Sequence, residues 1–506
     1  MKKNITRFVC RSDRMIAVIL DREGFEYDIH SLVKAFYPAS EVKVFLKGSK
    51  ELVSDTNLPM LFLQRDDGRA QLTLLIWQEE EKSWEQAQQS TQKLPVQPTK
   101  SAVKNVLKQL LYQELSLYTG QKLPWGTLTG IRPTKLAMRF LEQGWTDEEI
   151  LRYMQDTYYV SEEKGRLGIS IAQREKALLS DIHYQDGYSV YIGIPFCPTT
   201  CLYCSFTSYP ICVWKEQVGA YLSALEKEID AVAQLFSGKI LDSIYIGGGT
   251  PTTLEAAELE RLLHKVRTTL PLAPGKEFTV EAGRADSITR EKLLVLKKYG
   301  VTRISVNPQT MKEETLRLIG RRHSVPQVVD AFMLARECGF TNINMDLILG
   351  LPGENEEDVR RTMQEICRLA PDSLTVHSLA VKKASRLNQW IEENGIETIH
   401  NTDSMMQIAA SGAAEMKMEP YYLYRQKNIS GNFENVGYAR EGCFGIYNIL
   451  IMEEKQTIAA LGAGSITKRV FGDGRIERCD NVKEVAQYIE RIDEMIERKW
   501  RLFSEE

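Results

Sequence analysis

The sequence lacks several features that would assign it to a class at once. No run approaches the roughly 18 apolar residues of a membrane-spanning helix. The opening stretch, MKKNITRFVCRSDR, is broken by charges and has no apolar signal-peptide core, so the expected address is cytoplasmic. Positive charge is not in excess: 64 Lys and Arg against 68 Asp and Glu give a net charge of −4. That excludes a chain-wide basic footprint for nucleic acid. Cysteine is sparse, 9 in 506 residues, far below the density of a disulfide scaffold. In a reducing compartment, what matters is whether those few cysteines cluster. No internal repeat is apparent beyond a strand–helix rhythm.

What is present is an ordinary globular composition, 43% hydrophobic and 26% charged, long enough for several domains. Residues 1–95 alternate short β-type runs (Met15 to Leu20, Val42 to Leu46, Gln71 to Trp77) with a helical stretch near Ser31 to Phe36. They predict a small α+β domain. Residues 79–100 are polar, Gln-rich and end in two prolines, which predicts a linker. Residues 96–185 predict a helical connecting region around the loop PWGTLTGIRPTK. Its basic residues suit either a solvated face or an anionic partner.

From Tyr188 the pattern changes. Apolar runs at 189–195, 241–247, 277–281, 302–307, 343–349 and 373–378 alternate with helical segments of 10–20 residues. Six such units predict right-handed crossovers and a parallel sheet curled into a partial (β/α)6 TIM-type barrel over 186–385. Residues 386–506 then complete the barrel and end in an amphipathic helix.

The cysteines do cluster. Directly after the first core strand comes YIGIPFCPTTCLYCSF, in which Cys197, Cys201 and Cys204 form C-x3-C-x2-C. Chance would give that spacing only about 0.003 times in a chain of this composition, so accident is a poor account. Thiolates select zinc or iron–sulfur clusters, and both structural zinc and ferredoxin-type clusters want four protein ligands. Cys212 can supply a fourth, but the plainer reading is three ligands and an open coordination position. The remaining cysteines, at 10, 338, 367, 443 and 479, are scattered singly.

In α/β barrels functional groups gather at the C-terminal ends of strands. The second core strand ends in GGGTP, where glycines let backbone N–H groups approach a ligand closely. The third ends in Glu281, a buried carboxylate that needs a partner. The fourth, RISVNPQ, carries Arg303, Asn307 and Gln309, and Arg321 follows in LIGRRH. The fifth carries Asp346 among apolar neighbours, expected to accept hydrogen bonds from a ribose or to pair with an arginine. The sixth offers His377 and Ala380.

In this order and spacing, YIGIPFCxxxCxYC, GGGTP, VEA, RISVNPQ and DLILGLPGE closely resemble one branch of the radical S-adenosylmethionine (SAM) enzymes. It is the oxygen-independent coproporphyrinogen III oxidase-like branch (HemN/HemZ type, including coproporphyrinogen dehydrogenase), and the likeness spans about 188–470. The resemblance implies that Cys197, Cys201 and Cys204 ligate a 4Fe–4S cluster whose open iron chelates SAM. It implies SAM contacts at Tyr191, Tyr203, Gly248, Gly249, Thr250, Glu281, Gln309, Arg321 and Asp346, with Tyr191 and Glu281 in catalytic positions. Ala380 and Ile466 fall where the family contacts a second SAM. The implied reaction belongs to porphyrin (haem) biosynthesis. A 5′-deoxyadenosyl radical removes a β-hydrogen from a propionate of coproporphyrinogen III, which loses CO2 and leaves a vinyl group. The implied partners are a tetrapyrrole and an electron donor such as flavodoxin or ferredoxin.

Basic side chains should meet the substrate carboxylates, and the candidates are Lys382, Lys383, Arg386, Arg425 and Lys427. Tyr421, Tyr422 and Tyr424 are candidates to pack on a flat macrocycle. Three departures weaken the transfer of substrate. Gly193 stands where the family has His, Ala282–Gly283 replaces the usual Asp-Pro, and the tail after the barrel is short. A tetrapyrrole methyltransferase or haem-degrading enzyme and a haem chaperone retaining the cluster therefore remain alternatives.

Overall fold

In the computed structural model the described residues are 16–504, apart from 39, 49–59, 67, 79–82, 98, 207, 383–384, 396–397, 400 and 427–431. Cys10, Lys383 and Lys427 lie outside them. Two compact units are formed. One comprises residues up to Ile169 with Gln389–His400 and Arg425–Glu434; the other comprises Ser170–Asn388, Asn401–Tyr424 and Asn435–Glu506.

The first unit holds a five-stranded sheet in the order β2-β1-β3-β4-β5. Its strands are β1 (Ile16–Leu20), β2 (Val42–Leu46), β3 (Met60–Asp66), β4 (Arg69–Gln78) and β5 (Ser83–Lys93). β1 runs parallel to both β2 and β3, while β3–β4 and β4–β5 are antiparallel. The helix Glu26–Phe36 makes the β1–β2 crossover and buries Ile29, Leu32, Val33 and Phe36. The helix Lys100–Thr119 adds Val103, Val106, Leu107, Leu110, Leu111 and Leu115 to the same core. Thr99 caps that helix, its hydroxyl accepting from the Ala102 N–H at 3.2 Å.

The expected linker at 79–100 is corrected here, since its middle half is β5, paired with β4 from Gln78↔Ser83 to Arg69↔Lys93. It is an edge strand rich in Gln and Ser, with Gln86, Gln89 and Thr91 exposed, so it carries no apolar alternation to read. Nor is the basic helical surface uniformly solvated: Lys108 is buried, bonds Thr129 Oγ1 at 2.9 Å, and is pushed down to about 8 by burial.

The second unit is built on eleven strands in the order β14-β15-β13-β12-β11-β10-β9-β6-β16-β17-β18. Six consecutive members run parallel and alternate with helices: β6 (Gly187–Ile194), β9 (Ile240–Gly248), β10 (Leu272–Gly283), β11 (Arg303–Val306), β12 (Ile343–Leu349) and β13 (Ser373–Ser378). This is the expected (β/α)6 arc of a partial barrel. Nearly every strand residue is buried, as in a parallel sheet covered on both faces. The two-residue pieces β7 (Phe196–Cys197) and β8 (Tyr209–Pro210) pair separately and brace the loop after β6.

The C-terminal segment extends both edges of the arc. β15 (Asn435–Ala439) adds antiparallel to β13 and is followed by β14 (Glu419–Tyr424). On the other side β16 (Thr457–Leu461) runs parallel to β6, then β17 (Ile466–Val470) and β18 (Ile476–Asp480) run antiparallel. The tail is two helices, Val485–Glu490 and Ile492–Ser504, not one.

A buried polar knot ties this tail to the arc. Fully buried Glu228 accepts Lys499 Nζ and Asn481 Nδ2 at Oε1, both at 2.7 Å. At Oε2 it accepts the Gly462 N–H at 2.8 Å and the Tyr488 hydroxyl at 2.6 Å. Lys499 also donates to Asn481 Oδ1 at 2.7 Å. Among the described residues, no helix is long and apolar enough to cross a membrane.

Candidate active site

β6 delivers the chain into the cysteine loop, and β9 delivers the glycine turn beside it. The two strands are in register, Tyr191 opposite Tyr245 and Gly193 opposite Gly247, so these four share one face of the sheet. The Gly249 N–H donates to the Ile194 carbonyl and the Thr250 N–H to the Phe196 carbonyl, both at 2.7 Å. A Cβ at Gly249 would lie 2.5 Å from the Phe196 oxygen, and Gly248 has φ +104°, so neither position admits another residue without moving backbone. Cys197 Sγ lies 3.5 Å from Thr250 Oγ1, which joins the first cysteine to the end of GGGT.

The cysteine loop is fixed from behind. Thr199 gives its hydroxyl to the Gly320 carbonyl at 2.8 Å and accepts from Arg284 Nη1 at 2.6 Å. Arg284 in turn forks onto Asp286, at 3.0 and 2.7 Å; against the effect of burial, His323 and Arg284 together hold that carboxyl far below the usual range. The Leu202 N–H donates to Ile319 and the Cys204 N–H to Cys201. Burial pushes the Cys197 thiol up to about 11; the Thr250 hydroxyl opposes this, while the Cys204 and Cys201 sulfurs add to it. Cys204 is pushed up as well, burial first and Cys201 contributing. Thiols raised in this way, as Cys197 and Cys204 are, need a cationic centre to become thiolates, as a metal cluster provides. Cys212 is exposed on a short helical turn after β8 and is not among the groups that shift Cys197.

Next along the sheet, Glu281 ends the regular part of β10 just before a register shift at Gly283. Its Oε1 accepts the Tyr245 hydroxyl. Burial lifts its pKa to about 7, Asp346 adding to the lift and the Tyr245 hydrogen bond and Arg303 opposing it. Tyr191, Tyr245 and Tyr447 stack beside it, with ring centroids 4.5 to 6.2 Å apart, and burial raises all three phenols.

Gln309 has φ +69°, its N–H donating to the Asp346 carbonyl at 2.9 Å and its own carbonyl accepting from Ile348 at 2.9 Å. Arg321 donates to the Asn307 carbonyl at 2.5 Å and to the Tyr203 hydroxyl at 3.2 Å. Burial opposes the Arg321 charge, but Tyr203 and Cys201 outweigh it and raise the pKa. Around these groups the hydrogen bonding is incomplete: Asn307 Oδ1, Gln309 Oε1, Arg321 Nε and Arg303 Nε are buried without a partner. Each such atom costs about 1–3 kcal/mol unless a ligand or water meets it.

Several expected residues sit differently. Asp346 meets no arginine among the described residues; His377 Nε2 stands 3.9 Å away and Asn344 Nδ2 donates to it at 2.7 Å, which keeps its pKa low despite burial. Ala380 is buried just beyond β13, whereas Ile466 is exposed at the start of β17, two strands out from β6, and nothing described joins either to the groups above. Arg425 belongs to the first unit. It is buried and holds the Leu128 and Asn432 carbonyls, so it is spent on backbone rather than presented to a carboxylate. Tyr421 and Tyr422 lie in a core cluster with Ile449 and Leu450, and Tyr424 bonds His377 Nδ1 at 3.2 Å. Tyr245, Tyr447, Asn344 and the Arg284–Asp286 fork escaped the sequence reading. Tyr245 alone left a signal, since period-two counting back from Gly247 puts it on the glycine face.

The donor set, the glycine turn and the unspent polar atoms fit a sulfur-ligated cluster with an organic ligand beside it. They define a radical SAM protein, and the radical SAM superfamily profile matches residues 191–366. Over 402 residues the chain is 41% identical to the oxygen-independent coproporphyrinogen-III oxidase-like protein HemZ of Bacillus subtilis, covering 78% of this chain and 80% of that one. It is 32% identical over 307 residues to the heme chaperone HemW of the same organism, covering 60% and 76%. Among solved structures, the coproporphyrinogen III oxidase HemN from Escherichia coli aligns with a TM-score of 0.51. That alignment is 24% identical and covers 63% of this chain and 73% of that one, a likeness of fold. The chain belongs to the HemZ-type, oxygen-independent coproporphyrinogen III oxidase-like family of radical SAM proteins. Membership brings a 4Fe–4S cluster and SAM as its cofactors.

Proposed function

We propose that this protein oxidatively decarboxylates the propionate side chains of a coproporphyrinogen without oxygen, leaving vinyl groups for haem synthesis. The observation that carries the reading is the pairing of the cysteine loop with a half-buried glutamate and unspent polar atoms, in a chain 41% identical to an oxidase-like relative. When bound, the cluster and SAM supply one-electron cleavage of the sulfonium and a 5′-deoxyadenosyl radical. Cys197, Cys201 and Cys204 would hold the cluster. The turn at Gly248, Gly249 and Thr250 offers close backbone, and Gln309, Arg321 and Asp346 offer polar atoms to the rest of SAM.

Glu281 carries the charge logic. At about 7 its carboxyl is half ionised near neutrality, and a cationic ligand beside it drives it to the carboxylate. Tyr245 fixes the orientation of that carboxylate, and the Tyr191–Tyr447–Tyr245 stack keeps water from it. Of the cations expected at the substrate carboxylates, Lys382 is half-buried just past β13 and is the one this reading assigns to them; Arg386 is held by the Thr200 carbonyl. The outside partners are a tetrapyrrole and a one-electron donor.

The test is anaerobic reconstitution followed by incubation with reductant, SAM and coproporphyrinogen III. The reading expects 5′-deoxyadenosine together with CO2 and a vinyl product; 5′-deoxyadenosine without any decarboxylated tetrapyrrole would sink it. A second reading, a haem chaperone that keeps the cluster, is favoured by the 32% identity to HemW. It expects stoichiometric haem binding and no 5′-deoxyadenosine with any porphyrinogen.

A further inference from the structure

The backbone between the first two cysteines, Pro198 to Thr200, forms one wall of an open cavity of about 820 Å3. Three exposed arginines line it: Arg317, Arg322 and Arg386. Arg386 reaches the cysteine loop itself, donating to the Thr200 carbonyl. The one acid in the lining, Glu313, is already spent on the Val325 N–H at 2.6 Å, and neither Arg317 nor Arg322 has an acidic partner among the described residues. His323 completes the wall, 3% exposed, its Nδ1 standing 3.6 Å from the Asp286 carboxylate. In a chain with net charge −4, this is a local concentration of cations and not a sample of the average surface.

Elsewhere the cysteine loop is partly packed against the fold, although Phe206 is exposed. Cys201 is buried, Leu202 is bonded to Ile319, and Phe196 lies against the glycine turn. Electron transfer through protein falls steeply with distance, so a donor gains by approaching where the loop backbone meets open volume. A cationic rim at that place steers an acidic partner and fixes its orientation. We propose that the cavity rimmed by Arg317, Arg322 and Arg386 is the docking face for an acidic one-electron carrier protein. The proposal rests on the cluster assignment made above. In the step, one electron leaves the carrier's cofactor, which is oxidised by one equivalent, and reduces the cluster by one; no bond forms and no proton is required.

The test uses the double variant R317E/R322E in the full chain, with an acidic flavodoxin as probe. First, flavodoxin binding to the cluster-free chain is titrated at low and high salt. The expected result is an affinity about tenfold weaker in the variant, with the salt dependence flattened. Second, 5′-deoxyadenosine formation is driven either by reduced flavodoxin or by dithionite. The flavodoxin-driven rate should fall by about the same factor, while the dithionite-driven rate holds. Reversing Arg361 and Arg368, which lie on the helix Glu356–Leu369 and outside the cavity, should leave flavodoxin affinity unchanged. Unchanged affinity in R317E/R322E, equal weakening by the control pair, or occupation of the cavity by citrate without competition against flavodoxin would overturn the proposal. If dithionite drives no SAM cleavage in the unmodified chain, it is the proposed function that fails, a different result.

Discussion

Two buried polar clusters in the second unit are opposites in their hydrogen bonding. In the knot around Glu228, each carboxylate oxygen takes two donors, and Lys499 reaches both Glu228 and Asn481. Past the strand ends near Glu281, by contrast, Asn307, Gln309 and Arg321 each keep a buried polar atom unmet. A satisfied network spends its polarity on holding the tail to the arc, while an unsatisfied one holds it in reserve for something that binds. The difference separates fold from function without reference to any relative.

The comparison can be broken most severely at the cysteines. Replacing Cys201 with Ala should abolish the brown colour and all SAM cleavage, and retained turnover would void the ligand assignment. The next largest effect belongs to the knot. Lys499→Met strands the buried Glu228 charge and should cost about 3–5 kcal/mol by denaturant unfolding, while the pair E228Q/K499M should recover a good part of it. If the single variant unfolds like the parent, the knot is not structural. Gln309→Asn should do the reverse. The left-handed backbone at 309 tolerates Asn, so unfolding should be nearly unchanged while SAM affinity drops about tenfold, the worth of one lost hydrogen bond. A loss of stability equal to the loss of binding would erase the contrast.

The smallest effect is in protons. With Glu281 at about 7, SAM binding at pH 7 should release about half a proton, seen by calorimetry in buffers of different ionisation heat. Affinity should weaken as pH falls below 7. The ligand-free chain, whose Glu281 pKa is raised on folding, should lose stability as pH rises from about 4.5 to 7. Glu281→Gln should remove all three effects.

Much of this molecule is legible in its residues. The strands 343–349 and 373–378 have the bounds the pattern predicts, because parallel strands buried on both faces give unbroken apolar runs between helices. β5 was not legible because an exposed edge strand needs no apolar alternation. The knot was not legible because Lys499 sits in an amphipathic tail helix that predicts solvent for any lysine. Arg425 and Tyr421 misled for a related reason: a charged or aromatic side chain announces its chemistry, not its neighbours. Local spacing places the cysteines on one loop. That Tyr245 reaches Glu281 depends on register between strands, which no single segment records.

The central claim is that three cysteines leave one iron for SAM. The most direct measurement is electron paramagnetic resonance on the oxygen-free, reconstituted and reduced protein, with iron counted on the same sample. The account predicts four irons per chain and a spectrum that changes when SAM is added. A full complement of iron with a spectrum indifferent to SAM would contradict it.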